Sequence, residues 1–151
     1  MVSRIIPVLF AGFAVLCLSV SGAAAAEHVI EMLNDGGDGQ YMVFKPDYLE
    51  VEVGDTIKFE PVDPGHNAVT IPEVWPEGVP HVEGEISEPV SFTVEKEGVY
   101  GIKCVPHFMM GMIALIVAGE PVNAAQAESF EVPAMGKERY DSIKSKLEAD
   151  E

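Results

Sequence analysis

Between His28 and Ala118 the apolar runs are short, rich in Val and Ile, and mostly closed by Gly, Pro, Asn or Asp. That spacing leaves little room for helices of ordinary length and points to strands. Val29 to Leu33 stops at Asn34-Asp35-Gly36-Gly37-Asp38-Gly39, and Met42 to Phe44 stops just before Pro46. Tyr48 to Val53 alternates, so Leu49, Val51 and Val53 are expected on one face and Glu50 and Glu52 on the other. After a turn at Gly54-Asp55, Thr56 to Glu60 directs Ile57 and Phe59 inward. Further runs follow at Ala68 to Ile71, Val90 to Val94, Val99 to Cys104 and Met112 to Ala118. The expected fold is all-β, an eight-stranded Greek-key β-sandwich. Pro72 to Pro89, with Pro76, Pro80 and several glutamates between them, is expected to be a long surface loop crossing between the sheets.

Beyond Gly119-Glu120-Pro121 the pattern changes. Asn123 to Phe130 is Ala-rich and suits a short helix. Gly136 to Glu148 places Tyr140, Ile143 and Leu147 on one helical face, with Lys and Glu elsewhere. One or two C-terminal α-helices are therefore expected to cover part of the sandwich. At the other end, Arg4 precedes an apolar stretch from Ile5 to Val20 and the small residues Ser21 to Ala26. This is the pattern of a secretory signal peptide, too short in its apolar part to span a bilayer. The resulting division is a signal peptide over 1–26, a β-sandwich over 27–121, and a helical extension over 122–151 packed on the same domain.

Removing 1–26 takes away Cys17 and leaves Cys104 as the one cysteine of an exported chain. No disulfide within the chain is then possible, and an unoccupied thiol is exposed to oxidation. The whole chain carries 9 Lys and Arg against 25 Asp and Glu, a net charge of −16. Loss of Arg4 deepens it by one. Such a chain is a poor match for nucleic acid or an anionic membrane, and suits a cationic partner or a saline medium.

Cys104, His107 and Met112 fall close together in Cys-Val-Pro-His-Phe-Met-Met-Gly-Met, with His66 far upstream after Asp63-Pro64-Gly65. One thiolate, two imidazoles and one thioether form a donor set that suits copper, and His2Cys with a long axial Met is the blue-copper electron-transfer arrangement. Structural zinc favours more thiolates or histidines and does not choose a thioether. A Cys–His nucleophile needs an orienting third group and an oxyanion hole, for which the chain gives no sign. A copper oxidase or reductase needs further paired histidines, and only His28 and His81 remain. Copper storage or delivery is the alternative function, and it favours exposed, exchangeable, Met-rich ligands. Phe108, Met109 and Met110 are expected to form an apolar surface patch beside His107.

At these residues the chain resembles the cupredoxins, and among them the pseudoazurins. The resemblance is carried by Met32-Leu33-Asn34, Met42-Val43-Phe44, Val53-Gly54-Asp55-Thr56, Pro61 to Asn67, Lys103 to His107, Met110 to Ile116 and the helical tail. It implies that His66, Cys104, His107 and Met112 bind one copper ion that cycles between Cu(I) and Cu(II), with His107 as the electron port. It implies that the position of Met42 packs near that imidazole and that of Asn67 holds the thiolate loop. It further implies a periplasmic carrier, not an enzyme, serving copper nitrite reductase or another respiratory enzyme. The acidic balance of this chain points instead to a cationic or largely apolar partner such as a c-type cytochrome, or to work in high salt, and a monomer is expected. Members of the family usually ring the port with lysines. Here Asp35 and Pro64 stand where lysines are common, Glu77, Glu83 and Glu85 populate the long loop, and Lys103 alone remains.

Overall fold

The structure is a computed structural model that describes residues 24–149. Residues 1–23, the greater part of the expected signal peptide, lie outside the described residues. Among the described residues no helix is long and apolar enough to cross a membrane.

Eight strands form two four-stranded sheets. The first has the order β2 (Tyr41–Lys45), β1 (Glu27–Asp35), β4 (Thr56–Pro61) and β6 (Val90–Thr93). The second has the order β3 (Tyr48–Val51), β8 (Ile113–Ala118), β7 (Gly98–Lys103) and β5 (Val69–Thr70). β1 runs parallel to β4 and β3 parallel to β8, while the other pairings are antiparallel. All eight strands expected from the sequence are present, as are both terminal helices, α1 (Ala124–Ser129) and α2 (Lys137–Ala149).

Alternation explains where the core lies. Ile30, Met32, Phe44, Ile57 and Phe59 of the first sheet meet Tyr100, Ile102, Ala114 and Ile116 of the second, all buried. Phe44 and Phe59 pack edge to face with centroids 5.2 Å apart. β8 is buried along its whole length, because its other face is also covered. Val99, Ile113, Leu115 and Val117 pack there against Ala127 of α1 and Tyr140, Ile143 and Leu147 of α2. A strand covered on both faces reads as a continuous apolar run, which is what Ile113 to Ala118 shows.

Two expectations are corrected. Val53, expected inward, is exposed, because β3 ends at Val51 and the chain turns at Gly54 with φ +104°. The segment from Pro72 to Pro89 does connect the sheets, yet it is not confined to the surface. Trp75, Val79 and Val82 enter the main core, and the Trp75 indole N–H donates to the Val79 carbonyl at 3.2 Å. A buried indole needs such a partner, so the segment folds back on itself there.

At one end of the sandwich Asp55 acts as a knot. Its carboxylate accepts the N–H of Ala26 at 2.8 Å and of Glu52 at 3.1 Å, and lies 2.8 Å from His28 Nε2. The Ala26 carbonyl accepts the Thr56 N–H at 2.8 Å, so Ala26 already belongs to the folded body.

Candidate metal centre

At the opposite end, four loops converge. β7 delivers Cys104, wholly buried, and the chain then reverses through a 3₁₀ turn at Phe108–Met110. Gly111 at φ +79° makes the reversal, a conformation that suits glycine. Backbone bonds close the loop: Cys104 N–H to the Met112 carbonyl at 3.0 Å, Met110 N–H to His107 at 3.0 Å, and Gly111 N–H to Phe108 at 2.9 Å.

His66 sits on the neighbouring segment, after a turn fixed by the Gly65 N–H donating to Ser87 Oγ at 2.9 Å. Its carbonyl accepts the Ser87 N–H at 2.8 Å. Asn67 joins the two ligand-bearing segments. Its Oδ1 accepts the Val105 N–H at 2.9 Å, and its Nδ2 donates to the Gly84 carbonyl at 3.1 Å.

His66 Nδ1 lies 3.1 Å from His107 Nδ1 and 3.8 Å from Cys104 Sγ, and His107 Nδ1 lies 3.5 Å from that sulfur. A triangle with those sides has its centre about 2.0 Å from each corner, the length of a metal–nitrogen bond and close to that of a metal–sulfur bond. His66, Cys104 and His107 are the group of described side chains able to hold a metal ion. The fourth expected ligand, Met112, is wholly buried in the same core cluster as Cys104, and its N–H is bonded to the His107 carbonyl at 3.3 Å. The residues therefore suit a soft, imidazole-accepting ion such as copper.

The tautomer of His66 is set from behind. Asn34 Oδ1 lies 3.0 Å from His66 Nε2, so that nitrogen carries the proton and Nδ1 presents a lone pair to the centre. Burial, and next the nearby His107, hold the His66 pKa below the ordinary imidazole value, which keeps the ring neutral and ready to ligate. Burial pushes the Cys104 thiol up, opposed by backbone hydrogen bonds from Asn67 and His107. A cation held by His66, Cys104 and His107 would supply the charge needed to displace that proton.

The expected surface patch is only partly as foreseen. Met109 is exposed, but Phe108 turns toward Phe130, 6.3 Å between centroids, with the Lys103 ammonium 5.2 Å above its ring. Met135, not singled out from the sequence, takes its place on the exposed face. Its 3₁₀ turn, Ala134–Gly136, packs so closely on the ligand loop that a Cβ on Gly136 would lie 2.6 Å from Gly111 Cα. Asn34 and Arg139 were also missed as supporting residues. Asn34 reads as a breaker and Arg139 as one more charge on a helix. The remaining histidines lie outside the centre: His28 pairs with Asp55, and His81 is exposed 6.3 Å from Trp75.

A family model described as copper binding proteins, plastocyanin/azurin family, matches residues 30–119. The pseudoazurin of Paracoccus pantotrophus is 42% identical over 133 residues, 87% of this chain and 90% of that one. That of Methylorubrum extorquens is 40% identical over 127 residues, 83% of this chain and 85% of the relative. The crystal structure of native pseudoazurin from Hyphomicrobium denitrificans superposes with a TM-score of 0.76 at 47% identity, covering 80% of this chain and 97% of that chain.

Proposed function

Because the chain belongs to the plastocyanin/azurin family of copper-binding proteins, we propose that it carries single electrons on one copper ion held by His66, Cys104, His107 and Met112. It is a type 1 blue copper protein, exported to the periplasm as a monomer. It exchanges electrons with respiratory redox proteins such as a c-type cytochrome or copper nitrite reductase and catalyses no substrate reaction of its own. The observation that carries this reading is the donor triangle of His66, Cys104 and His107, already sized for one ion.

When bound, the copper supplies a one-electron couple between Cu(I) and Cu(II). The protein supplies constraint. Asn34 fixes the ring of His66, Asn67 ties the Cys104 loop to the His66 segment, and closure of the loop onto Met112 limits how far any donor can move. A donor set that is held in place has little to rearrange when its charge changes. His107 is only half-buried, so its ring reaches toward solvent and a partner's redox centre. Storage or delivery calls for ligands that exchange easily. The complete burial of His66, Cys104 and Met112 favours redox cycling.

The test is a visible spectrum of folded protein given one equivalent of Cu(II). An intense thiolate-to-copper band that bleaches reversibly on one-electron reduction, and that Cys104→Ser removes, is the expected result. Folded protein that stays colourless sinks the proposal.

A further inference from the structure

The end of the sandwich that carries the centre presents an apolar face. Val105, Met109 and Met135 are 53%, 59% and 74% exposed, and Ile86 is 50% exposed in the turn fastened to His66 through Ser87. Single exposed apolar residues need no explanation, but four on loops that converge around a half-buried imidazole form a contact surface.

The charges at this end are distributed unequally. Asp35, the last residue of β1, and Asp38, in the loop after it, are exposed, and Glu85 and Glu88 are exposed in the turn beside His66. Among the described residues none of these four takes part in an ion pair. Of the cations at this end, Lys137 is paired with Asp141, while Lys103 over Phe108, Arg139 on the Tyr41 and Met42 carbonyls and Lys45 on the Gly36 carbonyl keep their charge. Four carboxylates outside any ion pair against these three tethered cations leave the rim of the apolar face negative by a small margin, and the net charge of −16 over the whole chain reinforces it.

We infer that this face docks redox proteins whose own electron-transfer edge is apolar at the centre and ringed by Lys or Arg. Complementary charge accelerates and orients encounter, while the apolar centre excludes water where the two edges meet. The inference rests on the electron-carrier reading and adds to it the face on which a cationic partner lands.

The experiment is stopped-flow oxidation of the reduced, copper-loaded protein by a lysine-rich c-type cytochrome, from about 10 mM to about 0.5 M salt. The second-order rate is expected to fall by about tenfold or more across that range. A variant carrying Asp35→Lys, Glu85→Lys and Glu88→Lys is expected to lose most of the low-salt rate and to match the parent at high salt. A control with the same charge change at the opposite end, Glu52→Lys, Glu95→Lys and Glu120→Lys, is expected to keep most of it. A rate that is flat or rises with salt overturns the inference, as does a control that slows as much as the rim variant. The colour and reversible reduction of each sample are read first. Their loss in the parent counts against the electron-carrier reading, whereas a wrong salt slope with colour intact counts only against the docking face.

Discussion

Arg139 Nη1 donates to the carbonyl of Met42 at 2.8 Å, and its Nη2 donates to that of Tyr41 at 2.9 Å. Met42 holds φ at +54°, a left-handed conformation that costs an ordinary side chain about 1–2 kcal/mol. It falls between the paired positions Leu33–Val43 and Asp35–Tyr41, opposite Asn34, and its side chain packs on the cluster holding Cys104 and Met112. The last helix thus clamps a strained residue beside the centre. Arg139→Ala is expected to lower stability by about 1–3 kcal/mol, the worth of hydrogen bonds from a charged donor. It is also expected to shift the copper charge-transfer band. Arg139→Lys should recover only part of both, since an ammonium lacks the fork. Urea unfolding and visible spectra of the three proteins decide; an unchanged Arg139→Ala rejects the clamp.

Asn34 is expected to matter through His66. Its side-chain oxygen lies 3.0 Å from Nε2, the ring nitrogen turned away from the centre, and a buried ring without that partner loses its tautomer and its orientation. Asn34→Ala should weaken copper binding by about 10–100-fold, the usual cost of losing such a supporting contact. Competition with a copper chelator of known affinity measures it. Affinity equal to the parent's would remove Asn34 from the site.

The contact between Gly111 and Gly136 leaves no room for a methyl group. Gly136→Ala puts a Cβ 2.6 Å from both Gly111 Cα and Gly111 N, backbone atoms that cannot swing aside. Relief requires the two 3₁₀ turns to separate, at about 1–3 kcal/mol. Thermal unfolding of the metal-free protein should show the loss. The copper-loaded protein should show an altered spectrum, because the displaced loop carries His107.

Asp55 predicts the acid limb of stability. In a chain that keeps Ala26, hydrogen bonds from its N–H, then His28 and the Glu52 N–H, hold the Asp55 carboxyl below the usual carboxylate range; in a chain cut after Ala26 the last two do so. A depressed value in the folded state means that stability is fully present above the unfolded value, about pH 4, and is lost as pH falls through the folded one. Asp55→Asn is expected to be less stable than the parent at neutral pH and to have a flatter profile below about pH 4. Urea midpoints across the acid range test this, and parallel profiles for the two proteins would exclude Asp55 as the source.

The strands were legible in the sequence because each is a short branched apolar run between turn residues, and the helices because Tyr140, Ile143 and Leu147 keep helical spacing. The ligands were legible for a different reason: three of the four lie in one loop, so their convergence needs little of the fold. What was not legible depends on distant partners. Arg139 meets Met42 across 97 residues and Asn34 meets His66 across 32, and no local pattern announces either. Alternation put Val53 inward, but a strand that stops two residues earlier releases it. The prolines between Pro72 and Pro89 signalled a loop without showing that Trp75 plugs the core from it.

The hydrogen bond between Cys104 and Met112 shuts the intervening stretch at its neck, with β7 and β8 of the sandwich continuing on either side of it. A stretch sealed at its base is free to vary where it faces solvent, at the side chains of Val105 and Met109, without disturbing how β7 meets β8, whereas Gly111, pressed against Gly136, has no such freedom. Which partner is met can therefore evolve at those exposed positions at little risk to folding.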